Sequence, residues 1–160
     1  FNRAITLNPA LVEAYNNLGV VYCNIGEIDK SIEVLKKGLD IMSDSPRLYL
    51  NLALNYSIKG DYETALTHYI KAISINPAFN PPYIGIAQLF IVRNQPDVAI
   101  DFFHKIEERF GKRAVIHFCL GMAYQAKGLK EDAKKAYLKA YETEPESKEF
   151  RDKLYSLKAN

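Results

Sequence analysis

The sequence predicts an all-α array of helical hairpins. Three observations carry this. One pattern of aromatic, small and aliphatic residues recurs every 34 residues. Within each unit the apolar residues fall three and four apart, and a residue that tolerates left-handed backbone stands between the two halves. Tyr15, Leu18, Gly19 and Tyr22 are followed 34 residues later by Tyr49, Leu52, Ala53 and Tyr56. Tyr83, Ile86, Ala87 and Phe90 come next, then His117, Leu120, Gly121 and Tyr124. The second halves repeat in the same frame: Ser31 and Leu35, Ala65 and Tyr69, Ala99 and Phe103, Ala133 and Tyr137. No insertion or deletion interrupts the four cycles.

Each element follows from local chemistry. Tyr15, Leu18, Val21, Tyr22 and Ile25 line one face of a helix over 12–25, and Ile28, Ile32, Leu35, Leu39 and Ile41 one face over 28–41. Gly26 separates them, and Gly60, Asn94 and Gly128 stand at the matching later positions, where a left-handed residue ends a helix cheaply. Ser45 before Pro46, Asn80 before Pro81, and Asp61 mark helix starts. Gly19, Ala53, Ala87 and Gly121 let paired helices approach closely. Units close near Ser43, Pro77, Gly111 and Pro145.

This pattern resembles the tetratricopeptide repeat, in which Tyr or His here replaces the usual first-helix Trp. The resemblance covers the chain as repeats 12–45, 46–79, 80–113 and 114–147. Residues 1–11 form the tail of an upstream second helix, with Phe1, Ala4 and Pro9 at repeat positions. Residues 148–160 hold a capping helix with Phe150, Leu154 and Leu157 on one face. It implies a right-handed α-α superhelix, a tetratricopeptide solenoid whose stacked hairpins build the core that one hairpin lacks. The orphan tail, with Phe1, Ile5 and Leu7 short of packing, predicts a chain excised from a longer protein with further repeats upstream.

Composition narrows function. Of 160 residues, 48% are hydrophobic and 25% charged, and the net charge is +2. Basic residues are dispersed, so a dedicated nucleic-acid surface is not expected. No run of 18 apolar residues suggests a membrane span. Cys23 and Cys119 lack the spacing of a zinc framework and read as reduced thiols, which favours a cytoplasmic location. His68 and His104 read as lying on charged parts of second helices, and His117 as filling the aromatic slot of its repeat. Cys119 and His117, two apart on a helix, point in different directions. No phosphate loop, HExxH or GxSxG motif occurs. Catalysis, metal and cofactor are therefore not expected.

Function is expected on the concave face formed by the first helices. Counting each repeat from its first residue, that face takes positions 2, 5, 6, 9, 12 and 13. The candidate peptide-groove residues are Asn16, Asn17, Val20, Arg47, Leu50, Asn51, Leu54, Ile58, Ile84, Gln88, Ile91, Phe118 and Met122. Asn17 and Asn51 share position 6, where long members of the family use an asparagine ladder to hold an extended peptide. The ladder ends at Gly85 and Cys119. Ile84, Ile91, Val92, Val115, Phe118 and Met122 would add an apolar stretch for a peptide or amphipathic helix. The family's two-carboxylate clamp does not fit: Asn16, Val20, Asn51, Pro81 and Gly85 fill its positions, and only Asn51 matches.

The expected role is a protein–protein interaction scaffold that binds another protein or peptide. Homo-oligomerisation through the uncapped N-terminal helix is one alternative. A substrate-recruiting arm of a larger enzyme is another.

Overall fold

The structure is a computed structural model that describes residues 9–156, with side chains from Leu11 onward. The tail expected over residues 1–8, with Phe1, Ile5 and Leu7, and the end of the capping segment, with Leu157, lie outside the described residues. Among the described residues there are nine α-helices and no strand. They are α1 (Pro9–Asn24), α2 (Ile28–Ile41), α3 (Pro46–Ile58), α4 (Tyr62–Ile75), α5 (Pro81–Val92), α6 (Pro96–Phe110), α7 (Ala114–Ala126), α8 (Lys130–Thr143) and α9 (Lys148–Ser156). The first begins three residues earlier than the apolar spacing suggests. Pro9 sits in its opening turn, as Pro46, Pro81 and Pro96 do in later helices, because proline has no N–H that the turn would need.

The turns inside the hairpins are built alike. Gly26, Gly60 and Gly128 have φ of 82°, 80° and 84°, and Asn94 has 55°. The next residue then reaches back to the last helical turn: Glu27 N–H donates to Tyr22 O at 2.9 Å, Asp61 to Tyr56 O at 2.9 Å, Gln95 to Phe90 O at 2.8 Å and Leu129 to Tyr124 O at 2.9 Å. These bonds satisfy carbonyls that a helix end would otherwise strand. Three starts are capped by side chains: Ser45 Oγ accepts from Leu48 N–H at 3.5 Å, Asp61 Oδ1 from Thr64 N–H at 3.2 Å and Ser147 Oγ from Phe150 N–H at 3.4 Å.

The chain divides into two compact units, one ending at Pro82 and one starting at Tyr83. In the first, Val12, Ile32, Leu35, Leu48 and Leu52 form the core, with Ile28, Leu39 and Tyr56 around it. A Cβ added to Gly19 would lie 2.5 Å from Leu35 Cδ2, so α1 and α2 are in direct contact there. Ser31 takes the position that is alanine in the later repeats. Its buried hydroxyl donates to Gly19 O at 2.7 Å.

In the second unit Ala114, Phe118, Ala133, Tyr137, Ala140, Phe150 and Leu154 form one buried cluster. Here a Cβ on Gly121 would lie 2.6 Å from the Tyr137 ring. The Tyr137 hydroxyl donates to Gln125 Oε1 at 2.9 Å, which satisfies the polar end of a buried ring. Helix α9 lays Phe150 and Leu154 on this cluster.

One expectation of burial is not met. Leu18 and Val21 belong to the apolar face of α1, yet they stay 42% and 52% exposed, whereas Leu52 and Leu120 at the repeat position of Leu18 are buried. The reason is positional: α2 packs on α3 and α6 on α7, and the matching partner of α1 would fall outside the described residues.

Gly121→Ala should destabilise the chain by about 1–3 kcal/mol, because the methyl group must displace a fully buried tyrosine ring. Urea denaturation followed by circular dichroism checks it.

Candidate peptide-binding face

In the first unit α1 and α3 present their groove positions side by side. Arg47 Nη1 meets Glu13 Oε1 at 3.2 Å, with both side chains exposed. One helical turn further on, Asn51 Nδ2 donates to Asn16 Oδ1 at 2.7 Å. Val20, Leu54 and Ile58 are exposed, Leu50 is half-buried, and Asn17 is exposed. The structure thus couples position 5 of one repeat to position 6 of the next. Asn17 and Asn51, the two residues at position 6, differ in their surroundings: Asn17 is exposed, whereas Asn51 is half-buried and bonds to Asn16, 35 residues away.

Arg47 is also not a free cation. Its pairing with Glu13 leaves this part of the face close to neutral, which agrees with the poor match to a carboxylate clamp. Beneath the face, Asn55 is buried and its Nδ2 donates to Asn51 O at 2.7 Å, which fixes the carbonyl behind the Asn51 side chain. Asn55 was absent from the candidate set.

The second unit departs from expectation. Ile84, Ile91 and Met122 are half-buried and Gln88 is exposed. Phe118, however, is only 1% exposed. Its ring lies 4.7 Å from Phe150 and 5.5 Å from Tyr137, so α9 covers the position that would face a groove. Val115 and Cys119 are buried as well. Phe118 is therefore a core residue. Ile84 and Met122 pack against the same cluster and keep part of their surface.

Cys119 is fully buried and burial pushes its thiol well above the usual range, which removes the thiolate a nucleophile needs. Cys23 is half-buried and free. His68 is half-buried, and its ring lies 5.8 Å from Tyr49 and 5.4 Å from Tyr56. His117 fills its aromatic slot and is buried, with Nε2 3.7 Å from Glu107 Oε1. Burial lowers the pKa of both imidazoles, and for His117 it outweighs the pull of Glu107. Among the described residues no group of three or more His, Cys, Asp or Glu could hold a metal ion, and no helix is long and apolar enough to cross a membrane.

The architecture is that of an all-α solenoid of stacked helical hairpins. Tetratricopeptide repeat models match residues 1–33, 46–79 and 115–147, which together make up more than half of the chain. The chain belongs to the tetratricopeptide repeat family and is a repeat scaffold of the protein-binding class.

Among curated relatives, anaphase-promoting complex subunit 7 of Dictyostelium discoideum is 28% identical over 62% of this chain and 17% of its own length. Anaphase-promoting complex subunit 3 of Schizosaccharomyces pombe is 23% identical over 78% and 19%. The Sol locus transcriptional repressor of Clostridium acetobutylicum is 29% identical over 52% and 26%. The chain thus spans about a quarter or less of each of these relatives.

Among solved structures, a thermophilic tetratricopeptide repeat protein of Thermus thermophilus superposes with a TM-score of 0.68 at 21% identity, covering 99% of this chain and 87% of that one. YrrB, described as having an unusual peptide-binding site, superposes with a TM-score of 0.58 at 18% identity, covering 98% and 81%. At these identities the likeness is one of fold.

Two outcomes are expected. Phe118→Ala should cost about 3–5 kcal/mol of unfolding free energy, as for a core aromatic, in a chemical-denaturation experiment. Stability should also fall as the solution is acidified. His68 and His117 have depressed folded-state pKa values, so the unfolded chain binds their protons first. Their contribution is complete above the unfolded value of about 6.5 and is lost as pH falls through it. Denaturation midpoints recorded between about pH 7.5 and pH 5.5 should show the loss, and His117→Tyr should reduce it.

Proposed function

We propose that this chain is a non-enzymatic scaffold that binds an extended or helical segment of another protein along the α1–α3 face. The observation that carries the reading is the Asn16–Asn51 hydrogen bond set among exposed Val20, Leu54 and Ile58. The pair uses one Asn51 amide hydrogen and leaves its Oδ1 to accept a partner's backbone N–H. The exposed aliphatic side chains provide the apolar area that drives association, and a largely preformed face keeps the ordering cost low. The neutralised Arg47–Glu13 pair favours an uncharged or mixed segment over a C-terminal carboxylate. Within the second unit Ile84, Ile91 and Met122 offer a separate set of half-buried apolar contacts, without Phe118. Two relatives carry the names of subunits of a multiprotein complex, which supports a role within an assembly.

A second reading is self-association. Leu18, Val21 and Ile25 on α1 are exposed, and another copy could cover them. A molar mass that stays monomeric across concentration in light scattering would count against it.

The test of the first reading is affinity capture with wild type, Leu54→Arg, Asn51→Ala and Leu138→Arg chains. Leu138 is an exposed residue on α8, in the second unit. Leu54→Arg should abolish capture of the bound protein, Asn51→Ala should weaken it by about tenfold, and Leu138→Arg should leave it unchanged. Equal capture by all four would move the binding surface elsewhere.

A further inference from the structure

What fills repeat positions 4, 11 and 23 changes along the chain; in the first repeat they are Tyr15, Tyr22 and Val34. In the second repeat they are Tyr49, Tyr56 and His68, with the His68 ring lying against both tyrosines at 5.8 and 5.4 Å. In the third they are Tyr83, Phe90 and Phe102, with Phe90 and Phe102 centred 5.7 Å apart. Both repeats therefore place an aromatic ring from the second helix between the helices of the hairpin. In the fourth repeat the same positions are His117, Tyr124 and Ala136. The third ring is missing, and a cavity of about 180 Å³ stands where it would lie, lined by His117, Tyr124 and Ala136.

The volume is that of a ring: a cavity of about 150 Å³ takes up benzene. The walls suit one as well. His117 and Tyr124 are the counterparts of the two tyrosines that hold His68. The rim is polar. Glu107 carries its carboxylate between His104 and His117, at 3.8 and 3.7 Å. The Tyr124 hydroxyl lies 3.3 Å from His104 Nε2, and Lys139 stands on the α8 side. A slot walled by Leu120, Ala136 and the His117 and Tyr124 rings, with a carboxylate acceptor and an ammonium donor at its mouth, matches a ring that ends in a hydroxyl. The exposed rim residues His104, Lys135 and Lys139 leave the mouth open to solvent, so a side chain carried by another polypeptide has a path in.

We infer that this slot is a second binding site, distinct from the α1–α3 face, which receives the tyrosine side chain of a partner protein and completes the three-ring arrangement seen in the second repeat. In the second repeat the chain supplies the third ring itself as His68, and in the third it sets Phe102 against Phe90. In the fourth the ring is left to the partner, whose phenol hydroxyl then donates to Glu107.

The test uses p-cresol, which is the tyrosine side chain as a free molecule, and N-acetyl-tyrosine amide, which carries the backbone. Each is titrated into the wild-type chain, with the NMR signals of His117 and Tyr124 as readout. Both probes should give saturable shifts with dissociation constants in the range of about 1–10 mM, as expected for so small a ligand. Ala136→His, which restores the second-repeat ring, should abolish the shifts and raise the thermal midpoint by about 2–4 °C through cavity filling. Ala136→Phe, which copies Phe102 of the third repeat, replaces it if the histidine variant folds poorly. The site is overturned if neither probe shifts His117 and Tyr124, or if binding persists unchanged in a folded ring-filling variant. Binding of p-cresol alone, without the amide, would overturn the polypeptide as the source of the ring.

Discussion

The structure depends on how closely the two helices of a hairpin can approach. At repeat position 8 a side chain larger than a hydrogen atom would collide with Leu35 in the first repeat and with Tyr137 in the fourth. That contact sets the distance between the helices. The distance decides which aromatic residues of the first helix reach the second, and so how large the buried cluster can be. The left-handed turn residues follow from the same constraint: a short interhelix connection must reverse the chain, and φ near +80° at glycine allows it at low cost.

Repetition distributes these contacts and also makes departures from them informative. Ser31 replaces alanine at a buried position and brings its own acceptor, the Gly19 carbonyl. Asn55 replaces an apolar residue at a position that is Leu89 and Ala123 later on, and its amide is bound to the Asn51 carbonyl behind the candidate face. Ala136 stands where the second and third repeats carry His68 and Phe102, and a cavity lies beside it. In a chain whose units are otherwise interchangeable, these are the places where a local requirement has overridden the packing rule.

The first and last described hairpins differ from each other, for a physical reason. A hairpin buries its apolar faces only through its neighbours. Where α9 supplies the neighbour, Phe118 is sealed between Tyr137 and Phe150. Where the described residues include no neighbour, Leu18 and Val21 remain open. The same kind of side chain, on the same kind of helix, is core in one place and surface in the other.

The 34-residue period, the spacing of the aromatic residues and the turn glycines determined the helices, their pairing and the family. These are local properties, written into each unit and repeated. The α1–α3 face was legible as far as its residues go, because their spacing places them on the first helices. Three things required the tertiary structure. That Asn51 bonds to Asn16 depends on the lateral offset between neighbouring hairpins. Whether Phe118 lies in a groove or in the core depends on where α9 docks, and whether Ala136 leaves a void depends on what the facing helix puts opposite it. All three are contacts between elements, and no single segment of sequence contains them.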